Sequence, residues 1–145
     1  MLTFAKDKTQ RPNKMQTVHI FNPEHDMALA YNDERFTPPH AGRAMRADLS
    51  FLPTLWAEEG DTVVVDNVEQ ALEKVRHIKR PLPHVNYLTP TQLHRIAHEE
   101  VSFDVWGWDT AVRRQLLRQG FDAGRLPSDE TLAQIRRCSH RQWAA

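Results

Sequence analysis

The chain has 145 residues, 40% of them hydrophobic, which is enough for one domain with a buried core. Its 19 Lys plus Arg balance 19 Asp plus Glu, so no basic footprint argues for nucleic acid and no charge block argues for a disordered tail. The longest apolar runs are too short to span a bilayer, and the single cysteine, Cys138, excludes an internal disulfide framework, so a soluble cytoplasmic protein is expected.

Residues 1–15 show neither a helical nor a strand period and are expected to be a flexible arm, with residues 16–145 forming one domain. "QTVHIFN", residues 16–22, reads as a strand. "PEHD" follows it, and then Met27 to Ala30 read as helix or core. "TPPHAGRAMRADL" reads as a helix, with Thr37 as N-cap, Pro38 at N1, and Ala41, Ala44, Met45 and Leu49 at helical spacing. "GDTVVVDN", residues 60–67, is a second strand whose three valines suit a sheet covered on both faces. Asn67 and Gln70 form a capping-box pattern before the stripe Val68, Ala71, Leu72 and Val75. "VNYL", residues 85–88, is a short third strand, and Thr89, Pro90 and Gln92 mark a helix start. "SFDVWGW", residues 102–108, is a fourth strand, with Asp109 capping the helix that follows and Gly120 stopping it. Ser128 opens the last helix. The alternation predicts an α/β fold, a Rossmann-like three-layer sandwich with a mostly parallel sheet of about four strands and helices on both faces.

In such sheets ligands bind beyond the carboxyl ends of the strands. Asn22, Glu24, His25 and Asp26 follow the first strand, Asp66 and Asn67 the second, Thr89 the third, and Trp108 and Asp109 the fourth. Several of these also suit turns and caps, but a turn alone does not need four polar residues in a row before an apolar segment. The first turn contains no glycine and the chain has no Walker loop, so a glycine-rich phosphate cradle is not expected. His94 and His98 are spaced i, i+4, but without the intervening Glu of a zincin motif they read as exposed helix residues. Cys138 reads as a packed helix residue and no serine sits in a nucleophile elbow. Trp106 and Trp108, two apart on a strand, are expected to share one face.

The set "FNPEHDMALA", "FTPPHAGRAMRADLSFLPTLW", "WGWDTAVRRQL" and "LPSDETLAQIRRCSHR" resembles the N-terminal part of an uncharacterised bacterial ATP-grasp-like family over about residues 17–141. The resemblance implies a pre-ATP-grasp domain that recognises substrate, while separate lobes grip ATP and magnesium. The sequence ends at "SHRQWAA", where those lobes would begin. This chain alone is therefore expected to bind neither ATP nor magnesium and to be non-catalytic by itself. The resemblance also implies a substrate-facing loop at Asn22, Glu24, His25 and Asp26, with Thr37 and the following helix nearby to favour a small anion. The alternative is a non-catalytic interaction module that self-associates or pairs with a separate subunit. A homodimer covering Trp143 on the stripe of Leu132 and Ile135 is expected.

Overall fold

The computed structural model describes residues 14–140. The arm expected at the N-terminus falls almost wholly outside them, as does Trp143.

Four strands form one all-parallel sheet: β1 (Gln16–Ile20), β2 (Thr62–Val64), β3 (Asn86–Leu88) and β4 (Val101–Val105), in the order β3-β2-β1-β4. Five α-helices accompany them: α1 (His25–Tyr31), α2 (His40–Leu49), α3 (Val68–Arg76), α4 (Thr110–Arg118) and α5 (Asp129–Cys138). Strand alternation sends Val18 to one face, where Leu93, Val101, Val112, Leu116 and Phe121 close a core beneath α4. Val63 and Val65 point the other way and meet Ala71 of α3, together with Phe51, Val68 and Tyr87. Helices thus cover both faces of a parallel sheet, the Rossmann-like three-layer arrangement expected from the alternating pattern. Among the described residues no helix is long and apolar enough to cross a membrane.

The chain runs from β1 outward to β2 and β3, then crosses back over the sheet to place β4 on the other side of β1. This reversal opens a crevice between the carboxyl ends of β1 and β4.

Several elements depart from the sequence reading. Each strand is shorter than its apolar run, because the residues at its carboxyl end turn into the rim. Residues 25–31 form a separate helix, α1, which Asn32 ends in the left-handed region at φ 49°; asparagine tolerates that conformation better than most residues. Helix α2 begins at His40, with Pro39 rather than Thr37 in the cap position. Each proline disfavours helical geometry in the residue before it, so Thr37 and Pro38 stay outside the helix, and the Thr37 hydroxyl reaches the Arg35 carbonyl at 3.5 Å. No residue of α2 is buried, and Met45 is half-exposed, so its expected apolar stripe has no partner within the described residues. The Thr89 start is real, with Gln92 Oε1 accepting from the Thr89 N–H at 3.1 Å, but Pro90–Ile96 winds as a 3-10 helix. Cys138 is exposed at the last residue of α5 rather than packed.

A buried polar cluster fills the sheet face opposite Val18. His19 Nδ1 pairs with Asp104 Oδ2 at 2.7 Å and Nε2 with Asp61 Oδ2 at 2.9 Å. Asp61 also accepts from the Thr17 and Glu58 backbone N–H groups, and Trp56 Nε1 donates to Asp104. His19 and Asp104 are direct cross-strand neighbours, so this network staples β1 to β4 and to the entry of β2.

Candidate functional site

The turn after β1 and the turn after β4 are locked together by Asn22. Its Nδ2 donates to the Gly107 carbonyl at 2.7 Å, and its Oδ1 accepts from the Gly107 N–H at 3.0 Å. A side-chain amide supplies one donor and one acceptor in a single plane, which matches the two groups of a peptide backbone. The lock fixes Asp109 three residues after β4 begins to turn. Asp109 is 2% exposed. Its Oδ1 accepts from the Val112 N–H at 2.9 Å and so caps α4, while its Oδ2 accepts from His25 Nδ1 at 3.2 Å and from Asn22 Nδ2 at 3.4 Å.

Gly107 is small for a visible reason. A Cβ there would stand 2.0–2.4 Å from Cγ, Cδ2 and Nδ1 of His25. The imidazole occupies the volume any side chain would need. His25 Nε2 has no hydrogen-bond partner among the described residues, and it is not among the buried unsatisfied atoms.

Glu24, the cap residue of α1, is buried and points toward α2. Its Oε1 accepts from Arg46 Nη1 at 2.6 Å, and Arg46 Nε reaches Asp66 at 3.5 Å, tying the carboxyl ends of β1 and β2 to one guanidinium. Glu24 Oε2 is sealed and makes no hydrogen bond. Arg46 is thus the residue that holds this carboxylate.

A cavity of about 610 Å³ opens beside these groups, within the range typical of small-molecule sites. Asn22, Glu24, Thr37 and Asp109 line it, as do Phe36, Pro38 and the N-terminal half of α4. Five arginines line it as well: Arg35, Arg43, Arg46, Arg114 and Arg118. Arg46 is held by Glu24 and Asp66, and Arg114 by Glu34 at 2.6 Å. Among the described residues Arg35, Arg43 and Arg118 have no ion-pair partner.

The structure therefore brings Asn22, Glu24, Thr37 and Asp109 to one cavity and sets His25 directly behind Asp109. It leaves Asp26 exposed on α1, away from the lining. Trp108 also lies apart, packed edge-on against Phe103 at 6.0 Å within the core. Because β4 ends at Val105, the expected shared face of the two tryptophans does not exist; Trp106 is exposed and rests on Phe21 at 5.1 Å. Asp66 enters the network only through Arg46, and Asn67 caps α3 by accepting from the Gln70 N–H.

The arginines escaped sequence reading. A signal was present: Arg43 and Arg46 are three apart, and Arg114 and Arg118 four apart, so each pair shares one helix face at the rim. A net charge of zero concealed this local excess.

The fold and rim together define a Rossmann-like α/β domain with a basic cavity at its topological switch point. No protein-family model, no curated protein and no solved structure matches the chain.

Proposed function

We propose that the rim cavity binds a small molecule bearing at least two negative charges, and that the chain is a substrate-recognition domain rather than a complete catalyst. The supporting observation is the set of unpaired guanidinium groups, Arg35, Arg43 and Arg118, that face one cavity. Guanidinium offers a planar fork of donors matched to carboxylate and phosphate oxygens. The lining has five arginines against three carboxylates, Glu24, Glu34 and Asp109, and two of the five are already held by acids. An anion on the remaining three would offset charge that the protein leaves uncompensated.

The resemblance to the N-terminal part of ATP-grasp-like proteins supplies a reaction context. There the bound acid would be presented to separate lobes carrying ATP and magnesium. The first turn, "FNPEHD", has no glycine with which to cradle a nucleotide pyrophosphate, which fits recognition of a smaller anion.

Titration calorimetry with inorganic pyrophosphate and with citrate tests the reading. Saturable binding that weakens with added salt is expected for at least one. Arg43→Gln and Arg118→Gln should each weaken it about tenfold or more, the scale of one charge-assisted hydrogen bond. Absence of binding by either anion, or binding indifferent to both substitutions, would refute it.

A second reading draws on α2, none of whose residues is buried. Half-exposed Met45 on that helix suits self-association, which light scattering at high micromolar concentration would reveal as a dimer mass.

A further inference from the structure

We infer that His25 is a proton acceptor for the ligand of the rim cavity, with its ring held in the base-ready tautomer by Asp109. The inference rests on the small-anion reading of that cavity and adds a requirement: the anion carries an ionisable X–H group, a hydroxyl or an amine.

The argument begins with Asp109. Its carboxylate oxygens already accept from the Val112 N–H and from Asn22 Nδ2, and Oδ2 also meets His25 Nδ1 at 3.2 Å. An ionised carboxylate only accepts, so Nδ1 carries the ring proton. The lone pair of a neutral ring therefore sits on Nε2. Among the described residues that nitrogen makes no hydrogen bond, and it is not sealed from solvent.

Three further features fix this geometry. Asn22 holds the Gly107 backbone with two reciprocal hydrogen bonds. Gly107 leaves open the volume that the imidazole fills. The N-cap role of Asp109 pins its carboxylate to α4. A nearly buried carboxylate orienting an imidazole whose other nitrogen is free is the arrangement that makes histidine an effective base. Asn22 and Asp109 both line the cavity, so the dyad adjoins the arginines.

The step is a simple transfer. Nε2 takes the proton of the ligand X–H, and the electron pair of that bond stays on X, raising its nucleophilicity. The resulting imidazolium keeps its Nδ1–H on the Asp109 carboxylate, which stabilises the positive charge. No oxidant, metal or second reactant is needed.

Histidine-selective acylation with diethyl pyrocarbonate, mapped by peptide mass spectrometry above the ordinary histidine pKa, tests the assignment on the full chain. His25 should be modified at Nε2. Asp109→Asn keeps an N-cap of equal quality but removes the acceptor that fixes the tautomer. It should slow His25 acylation about tenfold or more, the ratio set by losing a charge-assisted hydrogen bond, while His77 and His84 on the surface are unaffected. Nitrogen NMR of labelled histidine should show the Nδ1–H form for His25 in the wild type. Saturating inorganic pyrophosphate should protect His25 selectively. An Nε2–H tautomer, or equal acylation of wild type and Asp109→Asn, overturns the inference whatever the anion does. Calorimetric binding of pyrophosphate without protection of His25 overturns it while leaving the anion site standing. Failure of pyrophosphate and citrate to bind refutes the anion site, and the tautomer and acylation results then decide on the dyad alone.

Discussion

Replacing Gly107 by Ala probes the rim at its tightest point. The added Cβ would lie 2.0 Å from His25 Cγ and 2.4 Å from Nδ1, so the ring must leave its place. Leaving breaks the contact with Asp109 Oδ2 and strains the Asn22 lock that holds the same peptide. Overpacking costs about 1–3 kcal/mol, and a hydrogen bond to a charged group about 1.5–3 kcal/mol. These costs overlap, because relieving the first incurs the second, so the expected loss is about 2–4 kcal/mol. For a chain of this size that lowers Tm by roughly 6–12 °C. The glycine φ lies outside the left-handed region, so alanine brings no backbone strain of its own. His25→Ala in the same chain should therefore rescue Gly107→Ala: without the ring the new methyl has room, and the unfolded chain loses entropy. Urea denaturation of both single variants and the double variant closes the cycle. The reasoning fails if Gly107→Ala is as stable as wild type, or if the two losses simply add.

Other substitutions separate the supports of the fold from its site. Asp61→Ala should destabilise by about 3 kcal/mol or more in chemical denaturation, since it strips His19 and two backbone N–H groups of their acceptor; an unchanged midpoint would mean that the cluster contributes nothing. Asn67→Ala should cost about 1 kcal/mol through loss of the α3 cap, and retention of full stability would show that another group satisfies the Gln70 N–H. Burial pushes the Tyr87 hydroxyl above its ordinary value, with the Thr54 hydrogen bond opposing in part. Its folded form thus holds the proton more tightly than the unfolded form does, so this contribution is intact below about pH 10 and is lost as pH rises beyond it. Tyr87→Phe should flatten that alkaline decline in a pH series of denaturation midpoints, and an identical decline would contradict the assignment.

The architecture was legible because its signals are local and repeated. Three consecutive valines at 63–65, the caps at Asn67, Asp109 and Ser128, and the alternation of strand and helix all act within a few residues of themselves. Asn22 and Asp109 were visible as rim residues, since strand ends in parallel sheets are where polar groups collect. Their mutual contact was not visible, because it depends on β4 returning beside β1 across 87 residues of chain. The His19 cluster was hidden for the same reason, joining positions 42 and 85 residues apart. Tandem prolines misled the reading of Thr37: proline suits a helix start, but the second proline holds Pro38 in extended backbone and moves the start to His40. Trp108 was misplaced because strand alternation was extended past Val105, where the Asn22 lock bends the chain.

The account stands on the basic cavity at the junction of β1 and β4, and amide chemical-shift mapping during a pyrophosphate titration locates ligand there directly. The account predicts saturable shifts at Glu24, Thr37, Arg43, Ala111 and Val112, with Val63, Ala71 and Val85 on the far sheet face unmoved. Shifts centred on the far face, or no saturable shift anywhere, would contradict it.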